Sequence, residues 1–193
     1  MMTAEKQTPR KPRADAERNR LRLMAVAKQV FADKGTSASL DEIARAAGVG
    51  IGTLYRHFAT REALIGQLYE NEGDQLAEAA NNLSQGEPPI EALRQWLLLF
   101  ADYLATKRIM ADVLSLLGPN ADEICAASAE RLIAACGYLL DNATASGDIR
   151  RDVEPLDLLM AIAGGANLGH APQWETGVAR VIGIMIAGLI REP

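Results

Sequence analysis

The chain reads as all-α: a three-helix N-terminal domain built on a helix-turn-helix, then a larger helical domain, about nine helices in all. Three observations predict this. Apolar residues fill 49% of the 193 positions while aromatics supply only 5%, and alanine and leucine are abundant, which favours packed helices over the β-branched and aromatic surfaces of sheets. Apolar positions recur at three- and four-residue spacing along most of the chain. Glycine and proline stand at the breaks between these stretches, as at Gly35, Gly48, Pro88-Pro89, Gly118-Pro119 and Gly147. The length suits one good core, or a small domain joined to a larger one.

Residues 1–14 hold two prolines, four basic residues and no apolar period, and read as a disordered basic arm. Such a tail either adds phosphate contacts or enters a neighbouring minor groove, or it is an ordinary solvated terminus. The first helix is expected from about Asp15 to Lys34, with Leu23, Ala27, Val30 and Phe31 as its apolar stripe. Arg18, Arg20 and Arg22 crowd its first half, and a charge run on a helix is usually a solvated face. Thr36, Ser37 and Ser39 place small hydroxyls beside a helix N-terminus, a setting that suits a phosphate oxygen. Ser39 with Glu42 is a capping box, each side chain satisfying the other's backbone N–H. Leu40, Ile43, Ala44 and Ala47 give the second helix one apolar face, and Gly48 stands where a left-handed residue stops a helix. A third helix runs from about Gly50 to His57, with Leu54 and Phe58 on its apolar side. Two short helices joined by a tight turn, the second sized for the major groove, make a helix-turn-helix.

The stretch GVGIGTLYRHFATREAL, preceded by DEIARAAG and by an RLRLMAVAKQVFADKG helix, resembles the DNA-binding domain of the TetR family over roughly residues 16–66. Members are dimeric, all-helical bacterial transcription regulators whose N-terminal third binds an operator and whose variable C-terminal part binds a small ligand and a second subunit. The resemblance implies a helix-turn-helix DNA-binding domain at 15–62 and a helical ligand-binding and dimerisation domain at 63–193. Carried over by position, it implies that Tyr55 and His57 contact phosphates, as does Arg61, where the family usually has lysine. Gly50, Ile51, Gly52 and Thr53 fall in the base-reading stretch, and Arg56 is the long donor that can fork onto a guanine. Gly50 replaces a common serine cap, and with Ile51 it offers no side-chain hydrogen bond. Readout then leans on Thr53, Arg56, thymine methyls and DNA shape. The plainer alternatives are a core histidine for His57 and a core aromatic for Tyr55. Beyond residue 70 the likeness is one of length and style, nearest the SbtR-like subgroup.

The fourth helix should begin near Thr60 and run to about Leu83, with Leu64, Leu68, Leu76 and Leu83 along its apolar edge. Pro89 is placed for the first turn of the fifth helix, which carries Ile90, Leu93, Leu97, Phe100 and Leu104 on one face and Trp96, Leu99 and Tyr103 on adjoining ones. A short helix over about Arg108–Leu117 and a long one over about Ala121–Ser146 follow. Given the resemblance, a largely apolar effector pocket among the fifth to seventh helices would draw on Trp96, Phe100, Tyr103, Met110 and Leu114, although such a stripe also serves as plain core. The last two helices, about Pro155–His170 and Trp174–Arg191, are the most apolar. Ala161, Gly165 and Gly169 recur every four residues, and Gly183 and Gly188 continue the theme. Each interior glycine costs ~1 kcal/mol relative to alanine, so a close helix approach is expected there. It is either a homodimer interface or close packing inside one subunit; two helices this apolar would otherwise leave a patch too large for a soluble monomer.

Net charge is −5, yet residues 1–62 hold 12 Lys/Arg against 7 Asp/Glu, leaving 8 against 18 for the rest. A basic first third on an acidic body is expected when one end meets double-stranded DNA. Cys125 and Cys136 share one predicted helix about three turns, or ~16 Å, apart. They cannot pair there and read as free thiols of a reducing cytosol. No signal-peptide pattern opens the chain and the longest apolar runs are too short for a bilayer, so the expected location is cytoplasmic with no membrane partner. Catalysis is not expected: histidine occurs only as His57 and His170, neither spaced with cysteine or carboxylate as a metal set or a triad. No phosphate-binding glycine loop appears, so neither a metal nor a cofactor is expected. The reading is a DNA-binding transcriptional repressor that binds a palindromic operator as a homodimer and is released by an unknown small-molecule effector. Against it stand a helical small-molecule-binding or scaffold protein with vestigial DNA binding, and a constitutive architectural DNA binder.

Overall fold

The computed structural model describes residues 12–150, 152–168 and 174–190. Among them the chain forms helices α1 (Pro12–Lys34), α2 (Leu40–Ala46), α3 (Ile51–His57), α4 (Arg61–Gly86), α5 (Pro89–Ile109), α6 (Ala111–Leu114), α7 (Asn120–Ala145), α8 (Pro155–Leu168) and α9 (Trp174–Leu189), with short 3-10 turns at Gly35–Ser37 and Ser115–Leu117. Among the described residues the only β pairing is an isolated antiparallel bridge between Ile149 and Ile190. None of these helices is long and apolar enough to cross a membrane. Two compact units, Met1–Leu68 and Tyr69–Pro193, divide the chain within α4.

In the first unit α1 already begins at Pro12, inside the stretch read as an arm. Proline is tolerated in a first turn, where its missing N–H would have had no helical partner; residues 1–11 lie outside the described ones. The core gathers Leu23, Met24, Ala27 and Phe31 from α1, Ile43 and Ala44 from α2, Leu54 from α3, and Phe58, Leu64 and Ile65 beyond it. Met24 completes the stripe at three-four spacing, and Val30, one position off it, is only half-buried.

The second unit is centred on α5, whose Ala92, Leu93, Trp96, Leu97, Phe100 and Ala101 are buried together with side chains from α7, α8 and α9. The Trp96 ring is fully enclosed, and its indole N–H donates to the Leu76 carbonyl at 2.8 Å. That bond matters because an indole N–H left buried without an acceptor would cost about 1–3 kcal/mol. Pro88 is extended and sets Pro89 in the first turn of α5, as its place in the sequence suggests. The expected helix over 108–117 is instead divided: α5 runs on to Ile109, α6 is a single turn, and a 3-10 turn closes at Gly118 with φ 57°. At the far end the Arg150 N–H bonds the Leu189 carbonyl at 2.9 Å, so α9 stops there. Gly169 and His170 lie outside the described residues. Cys136 is buried and Cys125 half-buried, and the two form no disulfide.

Candidate nucleic-acid interface and effector cavity

The turn that aims α3 is built from local bonds. Ser39 Oγ accepts the Glu42 N–H at 3.2 Å while the Glu42 carboxylate accepts the Ser39 N–H at 3.0 Å, the reciprocal pair that the sequence spells. The α2 helix then ends in a Schellman motif. The Val49 N–H reaches the Ala44 carbonyl and the Gly48 N–H the Arg45 carbonyl, each at 3.0 Å. Gly48 takes φ 65°, and a Cβ there would meet nothing within 4 Å. Glycine is therefore demanded by backbone conformation, not by space. Gly50 follows in an extended conformation (φ −72°, ψ 148°) without a side-chain cap, and its carbonyl accepts from Thr53 and Leu54 at 2.9 and 3.3 Å.

The α3 helix has two faces. Leu54 and, at its C-cap, Phe58 are fully buried, whereas Ile51, Gly52, Tyr55 and Arg56 are exposed and Thr53 and His57 half-buried. Neither His57 nor Tyr55 is a core residue; Tyr55 leaves 51% of its surface open. The outward side thus presents a phenol, a guanidinium, an imidazole and a hydroxyl, donors suited to phosphates and base edges. At Gly50 and Gly52 nothing lies within 4 Å of where a Cβ would stand.

Three of the residues expected to meet phosphate are engaged inside the unit. The Ser37 hydroxyl donates to the Lys34 carbonyl at 2.7 Å, and Ser39 serves the cap. Arg61 donates to the Ala38 carbonyl and, at 3.0 Å, to the Thr36 carbonyl, with its guanidinium 5.1 Å above the Phe31 ring. A planar fork reaches two carbonyls and an aromatic face at once, which a lysine cannot do, so Arg61 braces the connection ahead of α2. Thr36 itself is exposed. Arg20 is likewise held, by Gln67 at 3.0 Å and Glu17 at 3.2 Å.

The capping box has a pH signature, because the Lys34 ammonium also pairs with Glu42 at 2.5 Å. The Lys34 ammonium, first, and the Ser39 N–H, second, hold the Glu42 carboxyl down at about 2 against an ordinary 4.5. A depressed pKa contributes stability that is fully present above the unfolded value and is lost as pH falls from 4.5 towards 2. Glu42→Gln should accordingly flatten the acid limb of the first unit's melting temperature in that window and leave its slope unchanged above about pH 5. Thermal melts of both proteins across the window check this, and parallel acid limbs would refute it.

In the second unit a cavity of about 180 Å³ opens among α5, α7 and α8, and a neighbouring one of about 480 Å³ extends to α6. Of the expected pocket residues, Phe100 and Tyr103 line the first and Leu114 the second. Trp96 and Met110 are buried and line neither; Trp96 stacks on Phe100, centroids 6.0 Å apart, and so backs the wall. Three-four spacing cannot separate a wall from what stands behind it. Lys107 and Cys125 border both cavities and were not singled out from the sequence. The signal was present, since Lys107 continues the Phe100-Tyr103 face by one more turn. Burial above all pushes the Tyr69 and Tyr103 phenols up, so both keep their protons at neutral pH.

On α8 and α9 the small residues face outward. Ala161, Gly165 and Gly188 are exposed. A Cβ at Gly165 or Gly188 would meet nothing within 4 Å, and one at Gly183 would meet only Arg94 Nη1 at 3.9 Å. Among the described residues, no atom of the same subunit outside the helix itself fills the space at Gly165 or Gly188. Met160, Val181 and Ile184 are exposed on the same two helices, Ile184 by 72%. Among the described residues no three His, Cys, Asp or Glu side chains converge as a metal site.

Residues 23–68 match the family described as bacterial regulatory proteins, tetR family, and residues 88–191 match the C-terminal domain of SbtR-like transcriptional regulators. A TetR transcriptional regulator of Streptomyces coelicolor superposes with a TM-score of 0.82 at 38% identity, over 90% of this chain and 99% of that one. A TetR transcription regulatory protein of Mycobacterium vanbaalenii gives 0.77 at 31%, over 93% and 99%. The HTH-type transcriptional regulator AcrR of Shigella flexneri is 29% identical over 111 residues, 54% of this chain and 52% of that protein; the match thus spans about half of that curated relative.

Proposed function

The chain belongs to the TetR family of bacterial transcriptional regulators, and from that premise we propose that it represses transcription by holding a near-palindromic operator as a homodimer and releases it when a small molecule enters the second unit. The observation that carries the DNA side is the division of α3 into a buried edge, Leu54 and Phe58, and an open one, Ile51, Tyr55 and Arg56. Set in the major groove, Arg56 forks onto a guanine, Tyr55 and His57 reach flanking phosphates, and Thr53 with Ile51 touches base edges. The Gly50 and Gly52 backbone comes close without side chains in the way. The rest of the specificity is carried by DNA shape.

The exposed apolar face of α8 and α9, with its unfilled glycine positions, supports a second copy of the chain as its cover. Twofold symmetry then sets two recognition helices in successive major grooves, which requires an inverted repeat. Release follows if the ligand binds one spacing of those helices better than the other.

Selection from a random duplex pool, with anisotropy titration of the winner at several salt concentrations, tests this. An inverted repeat should emerge, and Arg56→Ala should weaken it by about 10- to 100-fold while relaxing one base position per half-site. Transcription in vitro from a promoter overlapping the repeat should fall as protein is added. Binding governed by salt alone, with no enriched sequence, would move the weight to a scaffold or architectural role.

A further inference from the structure

The cavity of the second unit holds a cation that its own walls do not answer. Phe100, Leu132, Ile133 and Leu159 form an apolar body, and Lys107, Tyr103 and Cys125 stand among them as the polar lining. The Cys125 thiol donates to the Tyr69 hydroxyl at 3.7 Å, and the Tyr69 and Tyr103 rings lie with their centroids 6.1 Å apart. Tyr103 lines the cavity and its phenol, pushed up by burial, keeps a proton to donate. The Lys107 ammonium sits 5.3 Å over the Tyr69 ring, and among the described residues that ring is its partner. For this half-buried ammonium a carboxylate is a stronger partner than a ring face.

Resting on the reading of this unit as the effector site, we propose that the cavity takes an apolar monocarboxylate whose head is held by Lys107 Nζ and the Tyr103 O–H. The size fits one: an apolar cavity near 150 Å³ accommodates about one benzene ring, so 180 Å³ takes a ring with a short chain. The carboxylate competes with the Tyr69 ring for Lys107. Tyr69 belongs to α4, so the head group acts directly on a contact of that helix.

Three probes share one body and differ only at the head: 4-phenylbutyrate, its primary amide, and 4-phenylbutylamine. Titrated calorimetrically into the full chain, the acid should bind about tenfold or more tighter than the amide, and the amine should not bind. Lys107→Met should bring the acid down to the amide's affinity while leaving the amide unchanged, and Tyr103→Phe should weaken the acid severalfold. An amide affinity that falls less than the acid's shows that each variant still has its cavity. An amide as tight as the acid, an acid preference that survives Lys107→Met, or no binding by any of the three overturns the proposal. Operator anisotropy is scored separately: an acid that binds as stated yet leaves operator affinity untouched counts against effector release, not against the head-group assignment.

Discussion

Ile184→Arg should turn the protein into a monomer and weaken operator binding by about 10²–10⁴-fold, the loss that follows when two linked binding events become one. Among the described residues Ile184 is the most exposed of the large apolar side chains, at 72%, and lies on α9 near exposed Val181 and Ala187. It has little to do for its own subunit, so the melting behaviour of each isolated fold should change little. In a twofold interface every substitution appears twice, and each new guanidinium would be buried without a carboxylate partner. Light scattering or sedimentation reads the oligomeric state, and a duplex carrying one half-site reads what remains of DNA binding. A dimer that persists in the variant would mean that α9 is not the face that pairs. Gly188→Leu supplies an independent probe of the same face, because the open space at that position tolerates the side chain in one subunit but not against another.

Much of the DNA-binding unit was legible in the sequence because its signals are local. Ser39 and Glu42 need only each other to form the capping box, Gly48 needs only its own backbone angle, and Leu54 with Phe58 follows from spacing along one short helix. What the sequence did not disclose depends on groups far apart in the chain. Arg61 was read as a phosphate ligand by position, but whether its fork turns outward or onto the Thr36 and Ala38 carbonyls is decided by how the 36–38 connection lies over Phe31. The cavity was half-legible for the same kind of reason. Trp96 and Tyr103 look alike in a periodic pattern, and only the Leu76 carbonyl that takes the indole N–H sorts one into the core and leaves the other on the wall. The glycines of α8 and α9 posed a choice between inner and outer packing that spacing could not settle, because the space left around Gly165 and Gly188 depends on helices distant in the chain.

Phe58→Ala should abolish operator binding while the second unit stays folded and the oligomeric state is unchanged. Phe58 is fully buried, caps α3 in an extended conformation, and returns its N–H to the Leu54 carbonyl at 2.9 Å. Truncating such a ring removes its transfer free energy and leaves a void, together about 3–5 kcal/mol. A unit of this size has little to spare, since small domains bury a lesser share of their surface and whole-protein stabilities are only about 5–15 kcal/mol. The core around α5 is built from other side chains, from Leu76 onward, so the void does not reach it. Hydrogen exchange separates the outcomes: amides of α2 and α3 should lose protection while those of α5 and α7 keep theirs. Tyr55→Ala is the matched control, because a half-open side chain can be removed at small cost to the fold yet still weaken phosphate contact. If both variants lose DNA but only Phe58→Ala loses protection, anchoring and reading are separate tasks of one short helix and its C-cap. If exchange rises throughout the chain in Phe58→Ala, the two cores stand or fall together, and the loss of DNA binding then says nothing particular about α3.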